Sequence, residues 1–350
     1  MPARGTKSAE TPRAPTLRLP TGMRDHAPRA AAARLRVIET LLEEFDRAGF
    51  ERVITPAFEY EEVLALGLGA AARAATVRFV EPSSGQVVAL RPDITPQIAR
   101  LIATRFRDHK GPVRLCYEGT VVRLDRAARG QRELSQAGVE LAGLAGPDGD
   151  AEVIALGALA LAAVGLPRPT IDLGHLGLAR SLFTAMKLTP SAEDQVRRLM
   201  AKRDRQELEK VLRDLKVFPG IIKNALEMLQ LSGPPAILKA AKGRLSKGAQ
   251  PAIAELAAIV AAVEKRQVDA RVHVDLGEVR GFDYYTGVRF QAFVEGAPDA
   301  VLRGGRYDDL LARYGRESPA VGFAVDVEAV AGALEGRVSP SARTKQPWQS

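Results

Sequence analysis

The stretch Arg114-Leu-Cys-Tyr-Glu-Gly-Thr-Val-Val-Arg123, Leu-Asp-Arg-Ala-Ala-Arg-Gly-Gln-Arg-Glu133, Leu-Ser-Gln-Ala-Gly-Val-Glu-Leu-Ala-Gly143 decides how the whole chain is read. Its first third is rich in β-branched and aromatic residues. Its middle is charged and holds a glycine, and its last third alternates again. That is the pattern of two strands joined by a long polar loop. Strand side chains alternate between faces, so Gln136, Gly138 and Glu140 share one face while Ala137, Val139 and Leu141 share the other. An amide and a carboxylate flanking a residue without a side chain form a floor for a small cationic group. An ordinary sheet with one solvated face reads the same from this stretch alone.

Working outward, Ala30 to Arg47 places Leu35, Ile38, Leu41, Leu42 and Phe45 at helical spacing, and Gly49 ends the helix. Phe50 to Pro56 reads as a strand closed by a proline. Glu61 to Ala72 reads as helix. Its Gly67-Leu-Gly-Ala-Ala-Ala72 only superficially matches a dinucleotide fingerprint, because no strand precedes it and no acid follows at the required distance. Val77–Val80 and Gln86–Leu90 flank Pro82-Ser-Ser-Gly85 as a hairpin, and Pro96 opens a helix running to Arg107. An Ala-rich helix over Val153–Leu166 follows, then a strand at Thr170–Gly174. From Leu182 to Lys265 the pattern turns helical, with Leu208, Leu212 and Leu215 as one stripe. Strands resume at Arg271–Leu276, Thr286–Val294 and Ala320–Asp326 before a last helix over Val327–Leu334. These segments predict an α+β fold, an antiparallel sheet flanked by helices and interrupted by a helical insertion.

Composition narrows the function classes. The 350 residues are 46% hydrophobic and 26% charged, as in a soluble globular chain with ample core. One cysteine, Cys116, excludes an internal disulfide framework and fits a reducing, cytoplasmic setting. Four scattered histidines lack ligand spacing, so no metal is expected. The apolar run from Val153 to Leu166 is too short and too glycine-broken for a membrane span, so no membrane partner is expected. The net charge is +8, and Lys187 to Lys247 alone holds 14 Lys and Arg against 7 Asp and Glu. A basic segment suits RNA, phosphate or an acidic surface, and a solvated helical face looks the same.

Taken in order, the segments resemble the class II aminoacyl-tRNA synthetase catalytic domain, in its histidyl branch. The helix and strand ending at Pro56 resemble motif 1, which implies a homodimer built on Ala30–Pro56. Arg123-Leu-Asp-Arg126 with the following strand resembles motif 2. Leu90-Arg-Pro-Asp-Ile-Thr95, Arg280-Gly-Phe-Asp-Tyr-Tyr-Thr-Gly287, Gly304-Gly-Arg-Tyr-Asp308 and Ala320-Val-Gly-Phe-Ala324 are similar to four further histidyl-branch blocks.

The resemblance implies a histidine pocket. Asp93 stands where the family has a Glu, with Thr95 beside it. Gln136 and Glu140 match the pair holding the α-amino group, and Tyr284 and Tyr285 the tyrosines at the imidazole. Arg123 matches the motif 2 arginine that binds carboxylate and phosphate, and Arg280 the histidyl-specific arginine that activates the substrate carboxylate.

The family's last motif continues with a Gly and then a Glu-Arg pair whose arginine binds the ATP γ-phosphate. Here Asp326 replaces the Gly and Ala329 replaces the Arg. Losing one such donor typically costs ~3 kcal/mol of transition-state stabilisation, and Asp326 adds repulsion. The motif 2 Glu is shortened to Asp125. After Leu334 the remaining residues cannot form an anticodon-binding domain.

A histidine pocket without a working ATP site resembles the regulatory-subunit family of ATP phosphoribosyltransferase. That resemblance implies no catalytic residues and no cofactor. Its partners are a short-form catalytic subunit in a hetero-octamer of four plus four and L-histidine as feedback effector in histidine biosynthesis. tRNA binding is not expected. The domain expectation is a tail at 1–16, one domain at 17–335 with an insertion at about 180–266, and a second tail at 336–350. The competing reading is a truncated, amino-acid-activating relative of histidyl-tRNA synthetase.

Overall fold

The computed structural model describes residues 17–124, 130–281 and 284–337. Asp125, Phe282, Asp283, the residues of the first expected tail and most of the second lie outside them. In chain order the elements are α1 (Pro28–Arg47), β1 (Glu51–Arg52), β2 (Phe58–Tyr60), α2 (Glu61–Leu66), α3 (Ala70–Ala74), β3 (Arg78–Val80), β4 (Val87–Leu90), α4 (Thr95–Arg105), β5 (Val113–Val122), β6 (Glu133–Ala142), α5 (Pro147–Ala163) and β7 (Thr170–His175). There follow α6 (Leu176–Met186), α7 (Pro190–Lys202), α8 (Arg205–Asp214), α9 (Pro219–Met228), β8 (Ser232–Gly233), α10 (Ile237–Arg244), α11 (Gln250–Lys265), β9 (Arg271–Asp275), β10 (Val288–Phe293), β11 (Leu302–Arg306), β12 (Ala320–Asp326) and α12 (Val327–Arg337).

Nine strands form one sheet in the order β1-β5-β6-β12-β11-β10-β7-β9-β8, and β2-β4-β3 form a second. The middle of the large sheet is antiparallel, as the alternation predicts, while β1–β5 and β7–β9 add parallel pairings near its two edges. β6 is central and buried along nearly its whole length, which is why its outer-face residues can build an enclosed site. The Ala-rich helix α5 is apolar on almost every side and lies enclosed between α1, α11 and the sheet. Gly157 permits the close approach: a Cβ there would sit 2.9 Å from Leu302 and 3.5 Å from the Phe323 ring.

Several expectations change in detail. On α1 the core face is Val37, Leu41 and Phe45, whereas Leu35 is 55% exposed, so the helix turns most of its apolar stripe inward. Leu215 likewise leaves the buried stripe of Leu208 and Leu212. The strand expected over Phe50–Pro56 shortens to Glu51–Arg52 paired with β5. The helix expected over Glu61–Ala72 breaks at Gly67–Gly69, where a Cβ on Gly67 would be 2.6 Å from both Pro96 and the Tyr314 hydroxyl. The Gly304-Gly-Arg block, not predicted as a strand, is β11. Its glycines are needed because Cβ atoms at 304 and 305 would lie 2.5 Å from Phe290 and 2.6 Å from Tyr285. Among the described residues, no helix is long and apolar enough to cross a membrane.

Candidate functional site

The site is built on the outer face of β6. Glu140 lies opposite Gly322 of β12, and a Cβ at 322 would collide with the Glu140 carboxyl, so only glycine leaves room for it. Three hydroxyls close over the carboxyl. Thr95 Oγ1 donates to Oε1 at 2.6 Å, Tyr117 reaches the same oxygen at 3.5 Å, and the Tyr307 hydroxyl donates to Oε2. Burial disfavours its charged form more than these bonds favour it, and the Glu140 pKa is pushed up to about 8. Gly138 is likewise committed to packing. Its cross-strand partner is Tyr117, whose hydroxyl would be 2.6 Å from a Cβ at 138. The space expected above Gly138 for a cationic group is therefore filled by an aromatic side chain, and Glu140 lies behind Thr95 and Tyr307.

The other expected residues gather in front of that wall. Asp93 and Thr95 enter at the start of α4, where Asp93 Oδ1 accepts from the Thr95 amide at 3.2 Å and benefits from the positive helix end. Arg123 is anchored by Nε donating to the Pro92 carbonyl at 2.6 Å. Tyr284 and Tyr285 pack edge to face with centroids 5.0 Å apart, and Tyr284 also lies 5.5 Å from Tyr307. Arg180 of α6 holds this turn by donating to the Tyr285 and Thr286 carbonyls.

Two cavities meet at Asp93, Arg123, Tyr284 and Tyr285. One, of about 650 Å³, contains Thr95 and Gln136 and extends to Asp326 and Glu328. The other, of about 570 Å³, contains Arg280 and reaches α7 of the helical segment. Seven of the eight expected residues thus line one continuous region, and Glu140 supports it from behind. Within the first cavity Gln136 Oε1 and Tyr284 Oη are buried without a hydrogen-bond partner among the described residues. Buried polar atoms left unpaired in a cleft are groups a ligand can satisfy.

Arg280 is positioned by Glu278, a residue the motif reading did not single out. Glu278 accepts from Arg280 Nε at 3.0 Å and Nη2 at 2.8 Å, and from Arg289 Nη1 at 2.5 Å. Burial opposes ionisation of Glu278, but the Arg280 and Arg289 guanidinium groups outweigh it and hold the carboxyl below its ordinary pKa.

The far end of the first cavity is the β12–α12 junction. Asp326 Oδ1 accepts from the Ala329 amide at 2.8 Å, capping α12. Glu328 accepts from the Ser135 amide at 2.9 Å and pairs with Arg34 at 2.8 Å, and Ala329 is buried. Described lining residues of this cavity include four carboxylates, Asp93, Asp299, Asp326 and Glu328, against three arginines, Arg24, Arg123 and Arg303. The helix end that elsewhere receives anions is here occupied by the chain's own acid. No group of three or more His, Cys, Asp or Glu among the described residues is arranged to hold a metal ion.

A sequence profile of histidyl-tRNA synthetases matches residues 22–330. A protein of Anaeromyxobacter sp. (strain Fw109-5), named ATP phosphoribosyltransferase regulatory subunit, is 43% identical over 336 residues, 95% of this chain and 98% of that one. A protein of the same name from Geobacter sulfurreducens is 38% identical over 322 residues, covering 91% of this chain and 73% of its own length. A solved structure described as an ATP phosphoribosyltransferase regulatory subunit/histidyl-tRNA synthetase from Bacillus halodurans superposes with a TM-score of 0.84 at 29% identity, over 91% of this chain and 83% of that one. A histidine–tRNA ligase subunit from Alicyclobacillus acidocaldarius gives 0.78 at 29% identity, over 92% and 98%.

Burial of the Glu140 carboxyl makes the stability of the fold depend on pH. The folded pKa of about 8 lies above the ordinary carboxyl value of 4.5. Between those values the folded chain holds a proton that the unfolded chain has released, so stability falls as pH rises through that window. Glu140→Gln removes this dependence while keeping the shape. In urea unfolding, the variant should gain on the wild type from pH 5 to pH 8 by up to the order of 4 kcal/mol. Parallel stability-against-pH curves for the two proteins would contradict the buried, protonated state.

Proposed function

Since the chain belongs to the ATP phosphoribosyltransferase regulatory subunit family, built on the histidyl-tRNA synthetase fold, we propose that it performs no chemistry itself, activates a separate short-form catalytic subunit and carries histidine feedback to it. The observation that supports this most is the β12–α12 junction. Asp326 accepts from the Ala329 amide at the start of α12, and Ala329 offers no cation where the synthetases place an arginine. A triphosphate entering that cavity would meet four carboxylates against three arginines, with Asp326 at the helix end itself, so little net attraction is left for a polyanion.

L-histidine is the proposed effector. Its ammonium would face Asp93, the carboxylate that lines both cavities, and Gln136 Oε1, the buried acceptor without a partner. Its carboxylate would face Arg123 or Arg280, and its ring Tyr284 and Tyr285. Glu140 then fixes Thr95 and Tyr307 rather than touching the ligand. The proposed assembly is a homodimer joined to catalytic subunits as four plus four, in the cytoplasm. The buried free thiol of Cys116 fits that reducing setting.

The homodimer has its own support. Ile54, Phe58, Tyr60 and Phe79 are 81%, 44%, 44% and 39% exposed on the β1 edge and the small sheet, an apolar surface of the kind that marks a protein interface. Sedimentation of the isolated chain should show a dimer, and Phe58→Asp with Phe79→Asp should shift it to monomer. A wild-type monomer at micromolar concentration would reject this.

Two assays test the rest. Histidine-dependent ATP–pyrophosphate exchange should stay at background, and Ala329→Arg alone should not restore it because Asp326 remains. Robust exchange would favour an amino-acid-activating enzyme. In the reconstituted complex, Asp93→Asn removes one charge-assisted contact of ~1.5–3 kcal/mol, so the histidine needed for inhibition should rise roughly ten- to a hundredfold with assembly intact. An unchanged inhibition curve would place the feedback site elsewhere.

A further inference from the structure

Asp172, His273 and Ser232 lie on β7, β9 and β8, at the edge of the large sheet away from β1, and line neither cavity. Parallel pairing sets Asp172 opposite His273. Antiparallel pairing sets Ser232 opposite Asp275, which is two residues on from His273 and shares its face. Asp172 Oδ1 lies 2.7 Å from His273 Nδ1, and His273 Nε2 lies 3.3 Å from Ser232 Oγ. An ionised carboxylate only accepts, so Asp172 takes the Nδ1 proton and fixes the tautomer. In the neutral ring Nε2 is then the acceptor, and the Ser232 hydroxyl donates to it. Carboxylate to imidazole to hydroxyl is the order of contacts that activates a serine. The Asp172 side chain is 16% exposed and that of His273 39%, while Ser232 is half-buried on the outermost strand. The orienting acid is therefore shielded and the reacting end is within reach of solutes. Asp275 also holds the Arg203 guanidinium, which brings a cation to the strand pair that carries the hydroxyl.

We propose that Ser232 is an acyl-acceptor site for activated carboxylic esters, with His273 as its base and Asp172 as the positioning residue. Ser232 Oγ attacks the ester carbonyl while its proton passes to His273 Nε2. The bond from carbonyl carbon to leaving oxygen then breaks, the leaving group takes that proton, and an acyl ester remains on Ser232. The outcome is a single modification of the chain rather than turnover. It depends neither on the catalytic partner nor on the histidine pocket, so it is tested on the isolated full-length protein.

The protein is treated with p-nitrophenyl acetate and, separately, with a fluorophosphonate, and the modified residue is mapped by peptide mass spectrometry. Nitrophenolate should appear as a burst of about one equivalent per chain, with the acetyl group on Ser232, and the fluorophosphonate should label the same residue. Ser232→Ala should remove both adducts, and Ser232→Cys should keep acetylation because a thiol beside an imidazole is also a nucleophile. His273→Gln should slow labelling roughly a hundredfold or more. Asp172→Asn should slow it as well and move the inflection of its pH profile downward, since the imidazolium loses its carboxylate, a shift that a purely structural role would not produce. Urea midpoints of the variants should match the wild type. No adduct on Ser232 in the wild-type protein would overturn the proposal, as would adducts confined to lysine or histidine side chains. Ser232 labelling at an unchanged rate in His273→Gln would overturn it too.

Discussion

The carboxyl of Glu140, enclosed by the hydroxyls of Thr95, Tyr117 and Tyr307, ties distant segments of this molecule to one point. It joins the central strand β6 to its neighbour β5, to the first turn of α4 and to the residue that follows β11. It also dictates Gly322 on β12, since no other residue leaves space beside it. A buried polar cluster of this kind is favourable only when all its members are satisfied together. The floor of the cleft is therefore assembled as a unit, and the residues in front of it are positioned by an acid that lines neither of the two cavities.

Much of this was legible in the sequence, for physical reasons that differ by element. The β5–β6 pair announced itself because period-two alternation around a polar loop has few other readings. The cleft residues were legible only through their resemblance to known blocks, since a Gln and a Glu two positions from a glycine carry little meaning alone. What stayed hidden was set by tertiary packing. The glycines of β11 argue against a strand locally and are required by Phe290 and Tyr285 overhead. Glu140 shares a strand face with Gln136, yet Thr95 and Tyr307 come from distant segments and seal it off. Leu35 fits the helical stripe of α1 as well as Val37 does, and the packing of α5, α12 and the sheet on α1 decides which is buried.

The division of the cleft into two cavities reframes the inherited pocket. On one side, acids outnumber arginines and the start of α12 is closed by Asp326. On the other, arginines outnumber acids by four to one among the described lining residues. A zwitterion lying across the boundary would be oriented by that gradient, with its ammonium toward Asp93 and its carboxylate toward the arginines. Orientation of this kind needs no catalytic group. It does not depend on α12, because Asp93 lies just before α4, Arg123 lies just after β5, and their hydrogen bonds to Thr95 and Pro92 do not pass through β12.

A ligand can shift an equilibrium only through contacts that differ between two states, and those contacts must connect to something that moves. β11 offers such a connection by its alternation. Tyr307 faces the cleft and binds Glu140, while the preceding Arg306 points to the opposite side and is held by Asp150 of α5 at 2.8 Å and by Asp308 at 3.0 Å. Arg306 and Asp150 are both buried, so the pair resists separation far more than an exposed ion pair would. Displacement of Tyr307 by a ligand would strain Arg306 and, through Asp150, the start of α5. That helix packs on α1 and on α11 of the helical segment, which gives the cleft a mechanical route to two outer faces of the protein.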